Sequence, residues 1–123
     1  MTWDFSGDRA IYVQIAEQVK LRIIAGIYPV GTRLPSVREL AAEASVNPNT
    51  MQRALSDLER EGLLYSERTS GRFVTEDSAM IAKAKAALAQ EGIDDFFARM
   101  ERLGYTRAAA RQQILDTEGE NNG

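Results

Sequence analysis

The sequence predicts a mainly α-helical fold with one small β-hairpin, followed by a helical tail. Three observations predict it. Apolar residues recur at helical spacing in three blocks between residues 9 and 62, separated by Gly- and Pro-containing breaks. Two short β-type runs then flank a Gly-containing turn. Beyond residue 77 the texture becomes Ala-rich and helical. The 123 residues accordingly divide into a domain at 9–77, a helical region at 78–116 and a polar tail at 117–123 that is expected to be unstructured.

The first eight residues read as a loosely ordered lead-in, with Trp3 and Phe5 on the domain surface. From Arg9, the stripe Ile11, Ile15, Val19 and Ile23, widened by Ala16 and Ile24, predicts an amphipathic first helix that Gly26 and Pro29 end. Ser36 followed three residues later by Glu39 fits a capping box, and opens a short second helix that buries Val37, Leu40 and Ala41. Val46, after the break, plugs the core. Asn47 caps a third helix with Pro48 at its first position, where a missing N–H costs nothing. Met51, Ala54, Leu55 and Leu58 face inward, which leaves Asn49, Gln52, Arg53 and Ser56 outside. Gly62 stops this helix. Strands at 63–66 and 72–75 form a hairpin around 67–71. The order helix, helix, helix, hairpin describes a winged helix-turn-helix, with the hairpin as the wing.

In the tail, a helix at 80–90 is expected, with Ser78 as its N-cap and Gly92 as its stop. Asp94 and Asp95 open a further helix with the apolar face Phe96, Phe97, Met100 and Leu103, ended by Gly104. Thr106 caps a last helix running to about Leu115.

Composition removes whole classes of function. There is no Cys and no His, so thiol chemistry, disulfides, imidazole acid–base work and nearly all transition-metal sites are gone. No constellation of carboxylates, Lys, Tyr, Ser or Thr replaces them, so no enzyme, cofactor or metal is expected. The Asp94–Asp95 pair reads as first-turn acids, not as a metal site. No apolar run approaches the ~20 residues a bilayer span needs, and no signal-peptide pattern opens the chain, so the expected location is the cytoplasm.

Small polar and amide side chains at a helix N-terminus, with Arg beside them, suit reading base edges in a major groove. The net charge of −3 counts against nucleic acid. The distribution of charge answers this in part. Arg33, Arg38, Arg53, Arg68 and Arg72 fall in or beside the helix-turn-helix and hairpin, while Glu43, Glu59 and Glu61 fall at helix C-terminal ends that can point away. The competing reading is a winged-helix module that binds protein and not DNA, favoured by the acidic balance.

Several motifs in order carry a resemblance. Leu34-Pro35-Ser36-Val37-Arg38-Glu39-Leu40-Ala41, Val46-Asn47-Pro48-Asn49-Thr50, Leu58-Glu59-Arg60-Glu61-Gly62-Leu63 and Gly71-Arg72-Phe73-Val74 resemble the GntR family of bacterial transcription regulators, and Ile11-Tyr12-Val13-Gln14-Ile15 is similar to the start of its domain. The short tail with Leu103-Gly104-Tyr105-Thr106, and Asn47-Pro48-Asn49-Thr50, resemble the YtrA subfamily. The resemblance implies a homodimeric repressor acting on an inverted-repeat operator, often of an ABC-transporter operon. It places DNA contacts on Arg38, on Asn47, Pro48, Asn49, Thr50, Gln52 and Arg53, and on a wing tip at Thr69, Ser70 and Gly71; the flanking Arg68 and Arg72 are expected, by charge and position, to meet phosphate. Arg33 and Ser36 adjoin that surface. The family's Gly-x-Gly wing tip keeps only its second glycine here, because Thr69 occupies the first position, and Pro48 and Gln52 stand where many relatives carry Arg or Lys.

By residue type, Gln52 or Asn49 is expected to read adenine, and Arg53 guanine or phosphate. Phe96, Phe97, Met100 and Leu103 are expected to dimerise the chain. The partners expected are therefore double-stranded operator DNA and a second copy of the chain, with no membrane. A small effector, if one binds, has no ligand domain of its own and is left unidentified.

Overall fold

The computed structural model describes residues 2–122, with side chains through residue 119. Its elements in chain order are α1 (Ile11–Ile24), α2 (Val37–Ala44), α3 (Pro48–Arg60), β1 (Leu64–Glu67), β2 (Gly71–Val74), α4 (Ser78–Arg102) and α5 (Arg107–Asn122). The chain forms two compact units, divided within α4 between Lys85 and Ala86.

The first unit is built around the three stripes read from the sequence. Ile15, Val19 and Ile23 of α1, Leu40 and Ala41 of α2, and Met51, Ala54, Leu55 and Leu58 of α3 are buried together with Leu63, Leu64 and Val74. Ile11 lies at the open end of its stripe and stays exposed. Truncating any one of the fully buried Leu side chains to Ala removes its packing and leaves a cavity, at a cost of ~2–5 kcal/mol. Val46 is half-buried against this core.

The turn between α2 and α3 is tight because Ser45 adopts a left-handed conformation, φ 57° and ψ 45°. Val46 N–H then donates to the Ala41 carbonyl at 3.0 Å. Gly62, at φ +83°, ends α3 and turns the chain into the wing, a conformation that a side chain would strain. The strands pair antiparallel, with Leu64 opposite Val74, Tyr65 opposite Phe73, Ser66 opposite Arg72 and Glu67 opposite Gly71. The strands thus sit within one residue of the positions expected at 63–66 and 72–75. The segment before α2 lies along the other edge of β2: Gly31 N–H donates to the Val74 carbonyl, Leu34 N–H to the Arg72 carbonyl, and Val74 N–H to the Thr32 carbonyl. Each of these segments is too short to show a strand period in the sequence.

The N-terminal residues depart from expectation. They are pinned to α1, not loose. Gln14 accepts from Ser6 N–H at 2.8 Å and donates to the Ser6 and Arg9 carbonyls, and Gln18 donates to the Asp4 carbonyl at 2.6 Å. Trp3 and Phe5 are half-buried on the core, and Trp3 lies over the buried Arg22 guanidinium at 3.7 Å. Arg22 also donates to the Tyr28 hydroxyl at 3.0 Å and lies 3.8 Å from Glu43.

Three further expectations are corrected in the tail. Helix α4 does not stop at Gly92 but runs on to Arg102, so Asp94 and Asp95 sit mid-helix. Gly92 costs only ~1 kcal/mol relative to Ala, no Pro follows, and a run of good helix formers from Ala86 to Glu91 leads into it. Gln90 Nε2 donates to Asp94 Oδ1 at 3.0 Å across one helical turn. The cap of α4 is Asp77, whose Oδ1 accepts from Ala79 and Met80 N–H, and not Ser78. Gly104 does end α4, with Tyr105 N–H donating to the Met100 carbonyl, and Thr106 caps α5 by accepting from Ala109 N–H. α5 continues to Asn122, through most of the stretch expected to be unstructured from Thr117; Gly123 lies outside the described residues. Local bonds carry that extension: Gln112 donates to Asp116 and the Thr117 hydroxyl to the Gln113 carbonyl.

In the second unit, Phe97 and Ala110 are buried, Phe96 meets Phe97 edge-on at 5.3 Å, and the Arg107 guanidinium lies 4.1 Å over the Phe97 ring. Among the described residues no helix is long and apolar enough to cross a membrane.

Candidate nucleic-acid interface

Helix α3 presents the site because its two sides are so unlike. One is fully committed to the core through Met51, Ala54, Leu55 and Leu58. The other carries mainly polar groups near its N-terminus. Asn47 caps the helix, its Oδ1 accepting from Asn49 N–H at 2.8 Å. Pro48, Asn49, Gln52 and Arg53 are exposed, and Thr50 is half-buried.

The two largest of these side chains are not free-standing. The Arg53 guanidinium lies 3.6 Å over the ring of Tyr12 from α1. Gln52 Oε1 accepts from Arg72 Nη1 at 3.1 Å. Arg72 in turn donates Nε to Glu59 Oε1 at 2.5 Å, and the Ser66 hydroxyl donates to the same oxygen at 2.5 Å. Burial pushes the Glu59 carboxyl up, but the bonds from Ser66 and Arg72 and the charge of Arg72 outweigh it, so its pKa lies below the ordinary value.

Glu59 therefore does not simply point away, as its place near the helix end suggests; it joins the third helix to the wing. Glu61 pairs with Lys20 at 3.0 Å, and Glu43 accepts from Trp3 Nε1 at 3.5 Å, so both are engaged with other parts of the unit. Glu59, Glu61 and Glu43 are thus all drawn into local contacts.

The flank of the site is a cleft of about 390 Å3 between the wing and the start of α2, lined by Arg33, Ser36, Leu55, Ser66, Arg68 and Arg72 among others. Ser36 Oγ caps α2 by accepting from Glu39 N–H at 3.1 Å. The α2 N-terminus and the Arg side chains make this a setting for phosphate oxygens. Arg38 is exposed on the first turn of α2. Arg33 lies against the wing: a Cβ built on Gly71, at φ +98°, comes 3.3 Å from Arg33 Nε. At the wing tip Arg68 and Thr69 are exposed, and Ser70 is half-buried.

Of the expected contact residues, the structure brings Arg33, Ser36, Arg68, Gly71 and Arg72 together around one cleft and joins Gln52 to Arg72. It adds three residues that the sequence reading missed. Glu59 lies seven residues from Gln52, two helical turns on the same face, so its place was readable. Ser66 lies opposite Arg72 in the hairpin register. Tyr12 gives no such signal, because only the packing of α1 on α3 brings it to Arg53. Among the described residues no group of acidic side chains could hold a metal ion.

Three packed helices, a two-stranded wing and a polar helix face define a winged helix-turn-helix DNA-binding regulator. The family model "Bacterial regulatory proteins, gntR family" matches residues 11–74, and the chain belongs to that family. An uncharacterised HTH-type transcriptional regulator of Bacillus subtilis, YhcF, is 38% identical over 116 residues, covering 94% of this chain and 96% of that protein. The HTH-type transcriptional repressor YtrA of the same organism is 38% identical over 97 residues, covering 74% of this chain and 75% of that protein. A solved GntR family regulator from Listeria monocytogenes superposes with a TM-score of 0.82 at 33% identity, covering 91% of this chain and 98% of that one. Members of the family are DNA-binding regulators, not enzymes. Membership decides between DNA and protein as the partner of the winged domain, in favour of DNA.

Proposed function

We propose that this chain is a homodimeric repressor of the YtrA subfamily that binds an inverted-repeat operator. The observation that carries the reading is the exposed, amide-rich face of α3 at Asn47, Asn49, Gln52 and Arg53, backed by a wholly apolar face. Asn49, Gln52 and Arg53 meet base edges, and Arg33, Arg38 and Arg68 hold phosphates. The wing tip at Thr69, Ser70 and Gly71 lies along the adjoining groove.

A symmetric dimer places two copies of α3 about 34 Å apart, one turn of DNA, or a multiple of it, which makes the operator an inverted repeat. The similarity to a named repressor supports repression, and a dimer seated on a promoter blocks polymerase with no further contact. A transporter operon is the class of target that kinship suggests, and the cytoplasm is where such a target lies.

The test is a gel shift with the intergenic DNA upstream of the chain's own gene, against excess random competitor, at two salt concentrations. A discrete, competitor-resistant complex that weakens with salt supports the reading. Absence of a complex at low salt overturns it.

A further inference from the structure

The recognition face and the wing are joined through one side chain. Arg72 on β2 reaches Gln52 with Nη1 and Glu59 with Nε, at 3.1 Å and 2.5 Å. Its side chain is only 15% exposed, so it is held rather than waving in solvent. The backbone beneath it is fixed on both sides: Ser66 pairs opposite it across the hairpin, and its carbonyl accepts from Leu34 N–H at 2.8 Å. Ser66 also bonds Glu59, so the two residues that grip the carboxylate are cross-strand neighbours.

This arrangement fixes the orientation of the Gln52 amide. A guanidinium only donates, so the atom it meets on Gln52 must be the amide oxygen. The nitrogen, with its two N–H groups, is the end left for a base. A glutamine that reads adenine needs both ends: the oxygen accepts from N6 and the nitrogen donates to N7. Here one of the oxygen's two lone pairs already accepts from Arg72, and the guanidinium beside it adds a positive charge and further N–H donors, which oppose the N6 amino group of adenine and favour a base edge that accepts. A donor alone finds partners on bases whose major-groove edge offers acceptors, O6 and N7 of guanine or O4 of thymine.

We propose that Arg72 is a positioning residue for base specificity: by holding Gln52 Oε1 it turns Gln52 into a donor toward guanine or thymine, and away from adenine. The inference rests on α3 being the recognition helix. It replaces the adenine preference that residue type alone suggests for Gln52. It also gives Arg72 work distinct from a phosphate contact, since its charge is already matched by Glu59.

Selection from randomised duplexes tests it, using the full chain as wild type, Gln52→Ala, Arg72→Met and Glu59→Gln. The position read by Gln52 is the one whose preference disappears in Gln52→Ala. There, wild type is expected to enrich guanine or thymine over adenine by about tenfold. Arg72→Met frees the amide and shifts that position toward adenine. Glu59→Gln, which loosens Arg72 without removing it, shifts it in the same direction by less, and stands in if Arg72→Met fails to fold. Adenine enrichment by the wild type overturns the proposal. So does an unchanged preference in both variants, or a loss of affinity spread evenly over all sequences, which is the mark of a phosphate contact. If the wild type enriches no sequence at all, the reading of α3 fails first and the proposal falls with it.

Discussion

The Arg53 guanidinium lies 3.6 Å over the ring of Tyr12, so a residue of α1 props a residue on the exposed face of α3. A cation stacked on an aromatic face gains ~0.5–1 kcal/mol at an exposed site, and the planar group keeps its edges free to donate. Replacing Tyr12 with Leu should therefore weaken operator binding by about two- to fivefold, while Tyr12→Phe, which keeps the ring, stays near wild type. Fluorescence anisotropy with an operator duplex measures both. Equal affinity for the Leu and Phe variants would remove Tyr12 from any role in binding.

Glu59 ties stability to pH. Its folded pKa is lowered because the bonds from Ser66 and Arg72 outweigh the effect of burial. A depressed carboxylate contributes stability that is fully present above its unfolded value, here the ordinary 4.5, and is lost as pH falls through the lower folded value. The difference in unfolding free energy between wild type and Glu59→Gln should shrink as pH drops from about 7 to about 3. Urea unfolding at the two ends checks this, and a difference that grows on acidification contradicts it.

Ser45 holds a left-handed conformation that favours glycine. Ser45→Gly should stabilise the first unit by about 0.5–1 kcal/mol, since relief of the strained φ exceeds the entropy glycine adds to the unfolded chain. Thermal melts should rise by several degrees. A β-branched residue at the same position should lower them.

Arg38 is exposed on the first turn of α2. If it holds a phosphate, Arg38→Ala loses affinity equally for operator and random DNA, and the salt slope falls by about one. A selective loss for operator would make it a base contact instead.

The four tail residues expected to dimerise the chain differ in exposure, with Phe96 and Met100 half-buried between two extremes. Phe97 is 8% exposed and lies under Arg107, so it is already packed within its own unit. Leu103 is 73% exposed, and Ile93, Tyr105, Ile114 and Leu115 of the same region are exposed as well. Leu103→Asp should leave helicity intact and shift sedimentation toward the monomer. Phe97→Ala should lower the melting temperature. A Leu103→Asp protein that sediments like wild type argues against that face.

Much of the first unit was legible because its cues are local. Ser36, Asn47 and Gly62 each mark a boundary by their own chemistry, and the stripes of α1, α2 and α3 need only a count of four. What escaped depends on distance or on balance. The pinning of Trp3 on Arg22, and of Tyr12 under Arg53, needs helices to cross before the residues meet. Gly92 and Thr117 mislead because a lone breaker or a polar run yields to its surroundings, where bonds one turn away and preceding helix formers prevail. Around the site, the polar face of α3 announced itself, but the attachment of Gln52 to Arg72 and Glu59 depends on the hairpin register.

The chain contains a single tryptophan, and it lies over a buried guanidinium at the point where the N-terminal segment rests on α1. The molecule therefore carries its own optical reporter. Emission from one indole, with no label and no second tryptophan, follows whether the leading residues have peeled away from the domain, and separates that local event from the collapse of the helices behind it.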